Sequence, residues 1–258
     1  HAEGGGSVLT KRLSFDNEVL TNLRSMEWRN DGKLGIITGG QLERDLYTRL
    51  NKALVAMGGK WDRKAGGHVF QFDPRDKVEG LLENGSLTVE RDGFFETPPA
   101  VIDRMLELLP RNAGWYVLEP SAGLGAIADK VNASVCVEKN EERARYLASK
   151  GHEVCHCDFL TDYNPLYLFD AIYMNPPFEE LQDIDHVLKA YSLLEVGGSL
   201  VSVMSESPFF RQDKKAVQFR EWLSEKNGYS EKLPEGSFKE SGTGVNARLV
   251  LIRKEICK

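Results

Sequence analysis

The chain has 258 residues, 41% hydrophobic and 28% charged, which is the composition of a globular protein long enough for one large domain or a medium one with an appendage. A formal charge of -6 excludes a protein that coats nucleic acid by charge alone, while leaving room for a local basic groove. No run approaches the roughly 18 apolar residues of a membrane span, so a cytoplasmic chain without membrane partners is expected, its cysteines reduced.

His1-Ala2-Glu3-Gly4-Gly5-Gly6-Ser7 lacks an initiator methionine and reads as a tag remnant or linker outside the fold. Residues 8–92 read as an N-terminal α+β accessory module. Leu42, Leu46, Leu50, Leu54 and Met57 recur at near-helical spacing, and Gly58-Gly59 closes that helix. Lys60 to Phe72 reads as two short strands around a glycine-containing turn, and Pro74 to Leu82 as a short helix. The stretch carrying Arg44, Arg49, Lys52, Lys60, Arg63 and Lys64 outnumbers its acids. A basic hairpin with Trp61 and Phe70 can meet phosphates and a base, which makes Lys60, Arg63 and Lys64 candidate nucleic-acid contacts. An ordinary solvated face, with Trp61 in a local core, fits the same residues.

Residues 93–258 read as one α/β domain. Phe94-Phe95-Glu96-Thr97-Pro98-Pro99 precedes an apolar-periodic helix, and Thr97 is placed to cap it, with prolines in its first turn. Trp115 to Glu119 is a strand that runs into Pro120-Ser121-Ala122-Gly123-Leu124-Gly125 and then a helix. Gly123-x-Gly125-x-x-Ala128 also satisfies the dinucleotide-binding fingerprint. A second strand ends in Glu138, a helix covers Glu141 to Lys150, and a third strand, Glu153 to Cys157, ends in Asp158-Phe159. Three successive strands thus end in an acid. Glu138 suits a pair of ribose hydroxyls. Cys155 and Cys157 with His152 and His156 offer a metal-like spacing, but the alternation reads as a strand and no second ligand pair exists, so no metal is expected.

Phe169 to Met174 is an apolar strand stopped by Asn175-Pro176-Pro177-Phe178, because two prolines remove two backbone donors and cannot continue a central ladder. An Asn amide, the carbonyls around the prolines and an aromatic face suit a flat ring carrying an amino group. A helix from about Glu180 to Leu194, a strand at Val196 to Met204, a helix from Lys214 to Lys226 and a strand at Val245 to Arg253 complete the pattern. Ser207-Pro208-Phe209-Phe210-Arg211 and Phe238 to Gly244 read as loops at the strand-end edge, with Phe210 and Arg211 candidate nucleic-acid contacts.

Asn175-Pro176-Pro177-Phe178 after an apolar strand resembles motif IV of the class I S-adenosylmethionine-dependent amino-methyltransferases, most closely the DNA adenine-N6 group. Phe95-Glu96-Thr97-Pro98 resembles motif X, Glu119-Pro120-x-x-Gly123-x-Gly125 is similar to motif I, and the strand-end Asp158 resembles motif III. The order is similar to the gamma arrangement. The resemblance covers roughly residues 94–258. It implies a Rossmann-like methyltransferase sheet, mostly parallel with a reversed last strand, helices on both faces, and S-adenosylmethionine as cofactor. Phe95, Thr97 and Pro98 would lie along the cofactor. Glu119 would face its ammonium, with Pro120, Ala122, Gly123 and Gly125 shaping the backbone approach. Asp158 would accept from its adenine, with Phe159 stacked. Asn175 and Pro176 would accept the protons of the target amine, with Pro177 completing the corner and Phe178 stacked on the base. Gamma enzymes carry a large C-terminal recognition domain, whereas here five residues follow the last strand. Recognition is therefore expected from residues 8–92, the loops between 207 and 244, or a protein partner, in a compact phage-like layout. DNA is the first expectation as substrate. RNA adenine, cytosine N4, protein glutamine and a non-catalytic nucleic-acid-binding module remain open.

Overall fold

The computed structural model describes residues 9–91, 95–239 and 246–255. The chain divides into two compact units, His1–Asp92 and Gly93–Lys258. Residues 1–7, Phe94, the stretch 240–245 and Cys257 lie outside the described residues, and with them part of the glycine-rich loop expected after Phe238.

The first unit runs β1 (Leu9–Ser14), α1 (Asn17–Arg24), β2 (Glu27–Arg29), β3 (Leu34–Ile36), α2 (Arg44–Ala56), β4 (Lys60–Asp62), β5 (Gly67–Val69), α3 (Arg75–Asn84) and β6 (Ser86–Arg91). Strands β1 and β6 pair antiparallel, and β2-β3-β5-β4 form a second antiparallel sheet. Val19 and Leu23 of α1, Leu50, Ala53 and Leu54 of α2, and Val78 and Leu81 of α3 close on one core with Phe70. Gly59 is required by that closure, since a Cβ there would sit 2.7 Å from the Phe70 ring and 2.9 Å from the Leu54 carbonyl. The expected helix, hairpin and third helix are present as α2, β4-β5 and α3. One expectation needs correction. Phe70 belongs to the core and is not a surface contact. Arg49 is held by Asp16, Glu18 and Asp45, tying α2 to the start of α1.

The second unit runs α4 (Pro99–Leu108), β7 (Val117–Glu119), α5 (Ala126–Val131), β8 (Val135–Glu138), α6 (Glu141–Ser149), β9 (Val154–His156), β10 (Phe169–Met174), α7 (Gln182–Ser192), β11 (Leu194–Ser205), α8 (Ser207–Phe210), α9 (Lys214–Glu225), β12 (Tyr229–Lys232) and β13 (Ala247–Arg253). Its seven-stranded sheet has the order β12-β13-β11-β10-β7-β8-β9. The strands from β11 to β9 are parallel, and β13 alone is reversed, antiparallel to both β11 and β12. Strand alternation explains the near-continuous apolar runs, because both faces are buried. Val117, Ala171, Tyr173, Val201 and Val203 face α4 and α5. Leu118, Ile172, Met174, Leu200 and Met204 face α7 and α9. Cys136 meets Leu147 of α6 on the side of α4 and α5. Ser207–Phe210, expected as loop, is a single helical turn. No helix among the described residues is long and apolar enough to cross a membrane.

Candidate active site

The order of the parallel strands fixes where a ligand can bind. From β7 the chain moves outward to β8 and β9, then returns to lay β10 on the other side of β7. The crevice at such a reversal, beyond the carboxyl ends of the strands, is where open α/β sheets bind ligands. Glu119 ends β7 on one side of it, and Asn175 follows β10 on the other. Register carries the remaining acids to the same edge. Glu119 pairs with Cys136, two residues before Glu138, and Glu138 pairs with His156, two residues before Asp158. Side chains two apart share a face, so Glu119, Glu138 and Asp158 continue one face at the carboxyl edge. Asn175, two residues beyond Tyr173, has the same parity.

Asn175 is half-buried and its orientation is fixed by chemistry. Nδ2 donates to the Phe95 carbonyl at 3.2 Å and to Thr97 Oγ1 at 3.0 Å. A main-chain carbonyl only accepts, so the amide nitrogen must face it and Oδ1 must face away. Thr97 therefore does not cap α4, which has no side-chain cap and begins after Pro98. This corrects the capping expectation. Phe178 is half-buried against the core on the side of α4 and α5. After it Glu180 and Leu181 both hold positive φ, 52° and 58°, a left-handed pair of non-glycine residues costing roughly 1–2 kcal/mol each. Two contacts hold this corner. Leu181 is buried, and Asp183 in the first turn of α7 accepts at Oδ2 from both the amide and the hydroxyl of Ser205 at 2.9 Å. Burial pushes the Asp183 carboxyl up to about 6, against the pull of those hydrogen bonds.

The three strand-end acids differ. Glu119 is 2% exposed, and its Oε2 has no hydrogen-bond partner. Desolvation holds its carboxyl well above the usual carboxylate range; the Ala128 amide opposes this and the neighbouring Glu138 adds to it. A buried carboxyl with one unmet oxygen is matched to a cationic donor. Glu138 accepts at Oε2 from the Gly123 amide at 2.8 Å, and at Oε1 from the Asn140 amide at 2.7 Å and Arg143 Nη2 at 2.9 Å. Three donors on about four lone-pair sites leave capacity for one hydroxyl rather than two. Asp158 accepts at Oδ1 from the Leu160 and Thr161 amides, closing the turn after β9. Phe159 is a core residue, 3% exposed, stacked on His186 with Lys189 Nζ 5.3 Å from its ring. It offers no open platform, which corrects the stacking expectation. Pro120, Ala122 and Gly123 are buried in the turn after β7. Gly125 starts α5 with φ 85°, where a Cβ would meet Leu147 Cδ2 at 2.8 Å.

Phe210, 64% exposed, follows β11 at the same edge, and Arg211 is paired with Asp213. Glu206 and Arg248 pair beneath them, with Arg248 4.3 Å from the Phe209 ring. Lys60, Arg63 and Lys64 lie in the first unit, on the β4-β5 hairpin. Sequence reading missed the contact of Phe95 and Thr97 with Asn175, and the Asp183–Ser205 clamp. The second had a signal, since Asp183 shares a helical stripe with Val187 and Ala190. Among the described residues no group of three or more His, Cys, Asp or Glu is placed to hold a metal ion.

No protein-family model matches the chain, and no curated protein matches it. Solved structures do. The methyltransferase subunit of a type I restriction-modification system from Streptococcus thermophilus is 17% identical with a TM-score of 0.55, over 71% of this chain and 49% of that one. The M protein of the type I restriction enzyme EcoKI is 17% identical with a TM-score of 0.52, over 92% of this chain and 60% of that one. The chain thus spans about half the length of the first and three-fifths of the second. At these identities the likeness establishes the fold, the Rossmann-like α/β architecture of methyltransferase subunits.

Proposed function

We propose that this chain transfers a methyl group from S-adenosylmethionine to the exocyclic N6 amine of adenine in nucleic acid, with DNA as the first substrate to test. The observation that carries the reading is the fixed amide of Asn175. Phe95 and Thr97 occupy Nδ2, which leaves Oδ1 as an acceptor, and the Pro176 carbonyl would be the second. The amino nitrogen of adenine is a weak nucleophile because its lone pair is delocalised into the ring. Two acceptors taking its two protons favour the pyramidal nitrogen and direct the lone pair away from the ring. Placement and electrostatics in a dry corner then lower the barrier without a separate strong base. Phe178 offers its ring to the base. A target within a duplex must first leave the stack, which costs a few kcal/mol.

The residues across the crevice fit the cofactor. Glu119, buried with an unmet oxygen, would hold the ammonium group. Glu138 would take one ribose hydroxyl, Asp158 the adenine amino group, and the Gly123–Gly125 turn would admit the methionine backbone. When bound, the cofactor supplies an electrophilic methyl on sulfur. Oδ1 of Asn175 and the Pro176 carbonyl orient the acceptor nitrogen toward it.

The test is incubation with methyl-labelled S-adenosylmethionine and, in parallel, unmethylated duplex DNA, single-stranded DNA and total RNA, followed by digestion to nucleosides and mass analysis. Label in N6-methyladenosine or its deoxy form, lost in Asn175→Ala, is expected. Absence of label from every nucleic acid, with cofactor binding intact, would overturn the reading.

A further inference from the structure

In the first unit β4 is one of the two edge strands of its sheet, and all three of its residues are exposed. Trp61 at its centre is 51% exposed, a large apolar area for a tryptophan outside any core. The ring is braced from within. His68 is fully buried on β5, packs edge-on against Trp61 with centroids 5.3 Å apart, and bonds through Nε2 to Asn51 Oδ1 at 2.8 Å. The turn is equally fixed. Asp62 Oδ1 accepts from the Lys64 and Ala65 amides at 2.7 and 3.0 Å, and the Asp62 carbonyl accepts from the Gly66 amide at 2.9 Å. The hairpin's one acid thus faces backbone donors. Lys60, Arg63 and Lys64 are exposed on the same hairpin and pair with none of the described acids, in contrast to Arg29, Arg49 and Arg75 of the same unit, each held by a carboxylate.

We propose that this hairpin is a binding site for single-stranded polynucleotide, Trp61 stacking on an unpaired base and Lys60, Arg63 and Lys64 meeting the adjacent phosphates. An aromatic face held in place among cations is how proteins grip a strand without reading its sequence. A duplex keeps its base faces covered, so the exposed ring selects for an unpaired strand. The inference rests on the nucleic-acid part of the function proposed above, and adds to it a second point of attachment on a separate unit.

The test uses the full chain and fluorescein-labelled 20-mers of single-stranded DNA, the matching duplex and the matching RNA, followed by anisotropy. Single strands are expected to bind more tightly than duplex. Trp61→Ala is expected to weaken single-strand binding by about 5- to 150-fold, with Trp61→Phe retaining most of it. The triple change Lys60→Ala, Arg63→Ala, Lys64→Ala is expected to reduce the slope of log Kd against log salt by about 2. Equal melting temperatures confirm that the exposed changes leave the fold intact. Single-strand binding by Trp61→Ala within twofold of wild type, or a preference for duplex, would overturn the proposal. The catalytic reading is scored separately. Methyl transfer with no dependence on Trp61 removes the hairpin and leaves the chemistry, whereas Trp61-dependent binding without transfer does the reverse.

Discussion

Glu119→Gln separates the energetics of the empty fold from those of ligand binding, because the two effects have opposite signs. In the free protein Glu119 is buried, its Oε2 is unmet, and its carboxyl is held well above the usual carboxylate range, chiefly by desolvation. A group with a raised folded-state pKa contributes stability that is present below its unfolded value near 4.5 and is lost as pH rises through the folded value. At pH 7.4 the free wild type therefore bears a cost that Gln removes. The variant should melt at the same temperature or higher, with the difference shrinking toward pH 5. Binding an ammonium group reverses the balance, since ionised Glu119 then gains its missing partner. Truncating one side of a buried charge pair costs about 2–5 kcal/mol. Gln retains one acceptor, so the lower end applies, about 30-fold in Kd. Calorimetric titration with S-adenosylhomocysteine, which keeps the ammonium, should show wild-type affinity rising with pH below about 7.5, where the ligand amine stays charged. Proton release, read by comparing buffers of different ionisation enthalpy, should accompany it. Gln should abolish both. A variant that binds as tightly as wild type with the same pH slope, or that melts lower while binding normally, would refute the assignment.

Thr97→Val removes one acceptor from Asn175 Nδ2 and should lower kcat about 3- to 10-fold with cofactor Kd nearly unchanged, as fits the loss of one neutral hydrogen bond in single-turnover assays. Asp183→Ala leaves the Ser205 amide and hydroxyl without their acceptor and should cost about 2–5 kcal/mol in urea unfolding. It should also remove a segment of pH dependence. In the wild type the Asp183 contribution is full below about 4 and is lost as pH rises through about 6, so stability gained on acidification across that window should vanish in the variant. Gly125→Ala places a Cβ 2.8 Å from Leu147 at φ 85°, and should lower both melting temperature and cofactor affinity.

The second unit was readable because its signals are local. Val117-Leu118-Glu119, Val135 to Glu138 and Phe169 to Met174 are apolar runs buried on both faces, each closed by an acid, a glycine turn or prolines. The strands that escaped notice carry no such pattern. Tyr229-Ser230-Glu231-Lys232 is a polar edge, and β2 and β3 are three residues each. Partnerships across long separations were not readable either. Arg49 counts toward a basic stretch until Asp16 and Glu18, some thirty residues earlier, close on it. Thr97 before two prolines has every local mark of a helix cap, and only the return of β10 brings Asn175 to its hydroxyl. Phe159 follows a strand-end acid as a stacking residue would, yet α7 carries His186 and Lys189 onto it. Local pattern fixed the strand ends, while tertiary closure decided what each side chain was free to do.

The reversed strand β13 sets the order in which the sheet can be completed during synthesis. Residues 247–253 pair with β11 along seven positions and with β12 along four, and β12 has no other strand neighbour among the described residues. While the ribosome is still adding residues before Ala247, β11 presents the backbone of Val201, Val203 and their neighbours as an open edge. Such an edge is a template for pairing with another chain. Nascent protein therefore carries this unpaired edge in the interval between the emergence of β11 and that of β13. A message cut short just upstream of Ala247 would hold every copy in that interval permanently.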